Sequence, residues 1–75
     1  MSRLEDNAEA AEAFLRKHVK MLRRYLIGRG IDADLADETI TDTFLIVERK
    51  WKQVESLDEP EAWLRLVALR IARKK

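Results

Sequence analysis

Apolar residues recur at intervals of three and four along most of the chain, the spacing of one face of an α-helix. Phe14, Leu15, His18, Val19, Leu22, Tyr25 and Leu26 form the first such stripe and predict a helix from about Ala8 to Ile27. The run Gly28-Arg29-Gly30 ends it, because glycine readily takes the left-handed backbone that closes a helix. A second stripe, Leu35, Ala36, Ile40, Phe44, Val47 and Trp51, predicts a helix that starts near Asp34, whose carboxylate suits the N-cap. Asp37 and Glu38 then suit the positive end of its dipole. The β-branched run Thr39-Ile40-Thr41 conflicts with helix, and packing is expected to override it. A short loop follows over about Lys52–Leu57. Asp58 and Glu61 have the spacing of a capping box for a third helix, Pro60 stands in its first turn, and Leu57 with Ala62 is placed as a hydrophobic staple. The stripe Trp63, Leu64, Val67, Ala68 and Ile71 carries this helix toward Lys75. The expected fold is all-α: one domain over residues 1–75, a small bundle of three helices with short connections, with room for a short extra turn around Gly30–Asp34.

Composition narrows the function classes. Only two glycines and one proline occur in 75 residues, so long helices are the default. Cysteine is absent, which excludes disulfides and thiolate metal sites and fits a reducing cytoplasm. No apolar run approaches the roughly 20 residues of a membrane span. The polar start Met1-Ser2-Arg3-Leu4-Glu5-Asp6 does not read as a signal peptide.

The net charge of +1 conceals blocks of one sign. Residues 14–30 hold Arg16, Lys17, Lys20, Arg23, Arg24 and Arg29 and no acid. Residues 32–48 hold Asp32, Asp34, Asp37, Glu38, Asp42 and Glu48 and no base. Residues 65–75 hold Arg65, Arg70, Arg73, Lys74 and Lys75 and again no acid. The bases of the first helix have two readings: a nucleic-acid contact, or a solvated face that pairs with the acidic second helix. At the end of the third helix the dipole favours cations, but five bases exceed what capping needs, which points to phosphate contact. Trp63 beside this run adds an aromatic face of the kind that single-stranded nucleic-acid sites use.

The inventory for catalysis is poor. His18 is the only histidine, and its place on an apolar stripe reads as a half-buried structural residue. No cluster has metal-ligand spacing, no histidine accompanies Ser2 or Ser56 as a base, and no glycine-rich phosphate loop occurs. These readings predict neither an enzyme nor a cofactor.

Two segments resemble region 2 of the extracytoplasmic-function sigma factors. Asp32 to Trp51, with its acidic start, its Thr43-Phe44-Leu45 core and its terminal Trp, is similar to region 2.2. Asp58 to Arg73, Asp-Glu-Pro-Glu-Ala-Trp-Leu-Arg-Leu-Val-Ala-Leu-Arg-Ile-Ala-Arg, is similar to regions 2.3 and 2.4. The first helix, with Phe14, Leu22 and Tyr25, fits region 2.1. On this resemblance, region 2.1 covers about 8–28, region 2.2 about 34–51 and regions 2.3/2.4 about 52–75, and region 4, which reads the minus-thirty-five element, is not expected within this sequence.

The resemblance implies a division of labour. Asp37, Glu38, Thr41, Asp42, Leu45 and Glu48 would meet the β′ clamp helices of core RNA polymerase. The loop from Val54 to Asp58, with Ser56 and Leu57 at its tip, would hold a base flipped out of the minus-ten element, and Trp63, Arg65, Arg70, Arg73 and Lys74 would contact promoter DNA. Two positions depart from the family pattern: Thr41 stands where Gln is common, and Arg70 where Asn is common, which puts the polymerase contact and the base preference in question. Anti-sigma proteins hold many members of this group and join the partners to test. The residues alone also allow a helical protein-interaction module without DNA recognition, or a helix-turn-helix duplex binder, which the long Lys52–Leu57 connection disfavours.

Overall fold

A computed structural model describes the backbone from Arg3 to Lys75 and the side chains from Asn7 onward. It is all-helical, with the order α1 (Arg3–Gly28), α2 (Ala33–Arg49), α3 (Trp51–Glu55) and α4 (Pro60–Lys74). The helices meet in one core: Leu15, Leu22 and Leu26 of α1, Ala36, Ile40 and Val47 of α2, and Leu64, Ala68, Leu69 and Ala72 of α4; Leu69 and Ala72 lie outside the expected third stripe, whose Val67 and Ile71 are only half-buried. At 1.5 Å per residue, the 26 residues of α1 span about 39 Å, and this helix sets the 41 Å length of the molecule.

The ends of the helices correct several expectations. α1 starts at Arg3, five residues before the expected start at Ala8. Its end is a Schellman motif: the Gly30 N–H donates to Ile27 O and the Ile31 N–H to Leu26 O, both at 3.0 Å. Gly30 supplies the required positive φ of 91°, whereas Gly28 is still helical. The cap of α2 is Asp32 and not Asp34, with the Leu35 N–H donating to Asp32 Oδ1 at 2.9 Å. The extra element lies at Trp51–Glu55, taking Trp51 from the second stripe and most of the segment read as loop, and not at Gly30–Asp34; α2 itself ends at Arg49. The cause is apolar: after the break at Lys50, one more turn brings Trp51 against Phe14, ring centroids 5.6 Å apart, and seals Val54 at 1% exposure.

The capping box of α4 does not form. Glu59 is the cap residue and makes no side-chain cap bond, with Pro60 following in the first turn. Glu61 is engaged elsewhere: the buried His18 ring lies between Phe14 O, 2.7 Å from Nδ1, and Glu61 Oε1, 3.1 Å from Nε2. Leu57 and Ala62 both stay exposed, so no staple closes. Within the β-branched run, Thr39 and Ile40 are buried and Thr41 is exposed. Thr39 and Thr43 are fully buried, and the Thr43 hydroxyl donates to Thr39 O at 2.8 Å.

Candidate functional site

α2 turns its charge outward because its apolar stripe is spent on α1 and α4. Asp37, Thr41, Leu45 and Glu48 follow at intervals of four and three, and Glu38 and Asp42 flank them, so one face of α2 carries all six residues. Leu45 is 51% exposed on it, a large apolar side chain with Asp42 and Glu48 among its helical neighbours.

Much of that acidity is answered within the molecule. The Arg23 Nε–H donates to Asp37 Oδ1 at 2.8 Å, and the Thr41 hydroxyl donates to Asp37 O at 3.3 Å. The Lys75 ammonium lies 2.7 Å from both Glu38 Oε1 and Asp42 Oδ2. These contacts hold the Lys75 pKa above its ordinary value, through the hydrogen bond to Asp42 first and the one to Glu38 second. Leu45 and Glu48 are the residues of this face with no such tie among the described residues. The role of Lys75 was not legible in the sequence, since its partners stand 37 and 33 residues away on another helix.

The bases of α1 split between the two readings given to them. Arg23 pairs with α2 and Arg16 pairs with Glu12 of its own helix, while Lys17, Lys20, Arg24 and Arg29 have no acidic partner among the described residues.

On α4 the outward side gathers four of the five bases and aromatics expected to meet DNA. Trp63, Arg70 and Lys74 follow at seven and four residues and share one line, with Arg73 beside it. Trp63 is half-buried, and the three bases are exposed. Leu66, 50% exposed, joins this side, although the apolar stripe alone gave it no role. Its phase is the missed signal: it falls three residues after Trp63 and between the core positions Leu64 and Ala68. Arg65 is placed apart. It is half-buried against α1, and its Nη1 donates to Met21 Sδ at 3.9 Å.

The connection before α4 is shorter than expected, because α3 takes Val54 into the core. Ser56, Leu57, Asp58 and Glu59 remain between the helices. The Ser56 hydroxyl closes the end of α3 by donating to Gln53 O at 2.9 Å, and Leu57 is 38% exposed. A depression of about 250 Å³ opens beside this connection, lined by Asp58, Glu59, Pro60, Glu61, Ala62 and Arg65. Its three carboxylates repel phosphate but accept hydrogen bonds from base amino groups, as on the cytosine edge. Among the described residues no group of three or more His, Asp or Glu side chains is placed to hold a metal ion. No helix is long and apolar enough to cross a membrane among them. No family model, no curated protein and no solved structure matches this chain.

Proposed function

We propose that this chain is a sigma-factor region 2 domain, which binds core RNA polymerase through α2 and recognises and melts the minus-ten element through α4 and the connection before it. The observation that carries the reading is the pairing of two unlike outward faces on one small core. The α2 face is acidic with Leu45 exposed on it, and the α4 face is basic with Trp63 and Leu66. The first suits the β′ clamp helices, with complementary charge steering the encounter. The second suits a partly melted duplex: Arg70, Arg73 and Lys74 neutralise phosphates while Trp63 meets bases. The acidic depression at Asp58–Glu61 would accept the amino group of an extruded base, which offsets part of the few kcal/mol of unstacking.

The deciding experiment is a pull-down of the isolated β′ clamp helices with the wild-type chain and with Leu45→Glu. Leu45 is the better probe than Asp42, because Asp42→Arg would also break the tie to Lys75. Capture by the wild type and loss in Leu45→Glu supports the reading. A folded wild-type chain that captures neither clamp helices nor minus-ten single-stranded DNA transfers it to a helical interaction module, whose acidic face would hold a regulatory protein.

A further inference from the structure

The bases that neither face uses converge on a third surface, along the line where α1 meets α4. Lys20, Arg24 and Ile27 follow at four and three residues on the outward side of α1, and Met21 and Tyr25 lie on its flank toward Arg65. Two adjoining depressions open here. One, of about 330 Å³, is lined by Lys20, Arg23, Arg24 and Ile27. The other, of about 400 Å³, is lined by Met21, Arg24, Tyr25 and Arg65. Arg24 lines both; the first lies on α1 alone, and the second reaches α4 through Arg65.

Most of the charge here is unpaired. Arg65 is half-buried and presents five N–H donors; its side chain donates to the Met21 thioether, a weak acceptor, and it also borders the acidic depression of Asp58, Glu59 and Glu61 without a salt bridge to them. No carboxylate pairs with Arg65, Arg24 or Lys20 among the described residues; Arg23 alone has its acid, Asp37. Lys20 and Arg24, both exposed, have no carboxylate within salt-bridge reach among the described residues, so this surface favours an anionic occupant. The walls decide which kind. A nucleic-acid strand wants a free aromatic face on which to stack. The one ring here, Tyr25, has the Arg29 guanidinium over its face, 5.8 Å from the centroid. Each depression has one aliphatic side chain instead: Ile27, 42% exposed, in the first and Met21, half-buried, in the second. Bases at helical spacing beside apolar side chains match an amphipathic helix that carries acids on its flanks.

We propose that this α1–α4 surface docks an acidic amphipathic helix of a partner protein, with its carboxylates on Lys20, Arg24 and Arg65 and its apolar side chains on Ile27 and Met21. This inference needs neither polymerase nor promoter, so it stands or falls apart from the reading of the other two faces.

The test titrates the full chain against a fluorescein-labelled synthetic helix with Glu at every fourth position and Leu between. A twin peptide with Gln for each Glu, and a single-stranded dT decamer, are titrated beside it. The acidic peptide is expected to bind at least about tenfold more tightly than its Gln twin. Arg24→Glu, at an exposed position, should weaken the acidic peptide by about tenfold and restore binding to a Lys-bearing peptide of the same design. Arg65→Gln should weaken the acidic peptide in the same direction, with unchanged helicity by circular dichroism. Amide shifts on titration should centre on Met21, Arg24, Ile27 and Arg65. Equal affinity for the Gln twin, no binding of the acidic peptide, or binding indifferent to both substitutions would each overturn the proposal. So would tighter binding of the dT decamer that the same substitutions abolish, since the surface would then be a nucleic-acid site.

Discussion

The Thr39 hydroxyl lies fully buried and finds no partner among the described residues, while four residues on, Thr43 donates its own hydroxyl to Thr39 O. A buried hydroxyl without a hydrogen bond carries its desolvation penalty uncompensated, and a methyl group of the same shape removes it. Thr39→Val should therefore stabilise the chain by about 1 kcal/mol. Urea unfolding reads this as a higher midpoint at unchanged slope, and an equal or lower midpoint would refute it. Thr43→Val should bring no such gain, because it gives up a bond that is made. His18 presents the opposite case: a buried ring with an acceptor beside each nitrogen, Phe14 O and Glu61 Oε1. Glu61→Ala should cost about 1 kcal/mol in the same assay, the worth of one such bond between helices. The sequence made His18 readable as structural, since its helical neighbours Phe14, Leu15 and Leu22 are all apolar. Its partner was not readable: Glu61 is 43 residues away and bore every mark of a local cap. Arg65 was misplaced for a related reason. Its membership in a basic run gave no hint that it points to α1 and not outward with Arg70.

Helix interiors were legible because a stripe of seven apolar residues averages out local conflict, and helix ends were not, because each end turns on one or two bonds. Asp32 and Asp34 are equally good caps by residue type, and only the backbone decides between them: Asp32 is extended, with φ −69° and ψ 162°. Asp32→Ala should then destabilise the chain by about 1 kcal/mol, whereas Asp34→Ala should cost a few tenths at most through the dipole. Equal effects in thermal unfolding would show that the cap bond to the Leu35 N–H carries no special weight. The two glycines separate in the same way. Gly30 holds φ 91°, so Gly30→Ala should destabilise by about 1 kcal/mol. Gly28 is helical and a Cβ there meets nothing within 4 Å, so Gly28→Ala should stabilise by about 0.5 kcal/mol. The element that the stripes missed, α3, is five residues long, too short to show a period; its signal was the three-residue spacing of Trp51 and Val54.

Across the whole molecule the charge blocks kept their places but not their isolation. The acidic block lies on one face of α2 as its spacing implied, yet Arg23 from α1 pairs with Asp37, and Lys75 from α4 bridges Glu38 and Asp42, two cations against three carboxylates. A surface whose charges are already paired contributes less to long-range attraction than its formal charge suggests. The α2 face should therefore hold its partner mainly through Leu45, with charge setting the rate of encounter more than the lifetime of the complex. The α4 face is different: Arg70, Arg73 and Lys74 have no acidic partner among the described residues, so salt should govern it. Removing Arg70 and Arg73 together should lower the salt slope of duplex binding by about 0.9 for each phosphate that is no longer neutralised. Because the two faces lie on different helices and share no side chain, their effects should add. Leu45→Glu should abolish capture of the clamp helices and leave minus-ten DNA affinity and its salt slope unchanged. The Arg70→Ala, Arg73→Ala pair should do the reverse, and the triple variant should equal the sum within about 0.5 kcal/mol. Coupling well beyond that would mean that docking on one face reshapes the other, with the ion pairs of Lys75 of α4 to Glu38 and Asp42 as the charged tie between the two helices. Repeating the cycle in a Lys75→Ala background, where that tie is gone, would then restore additivity.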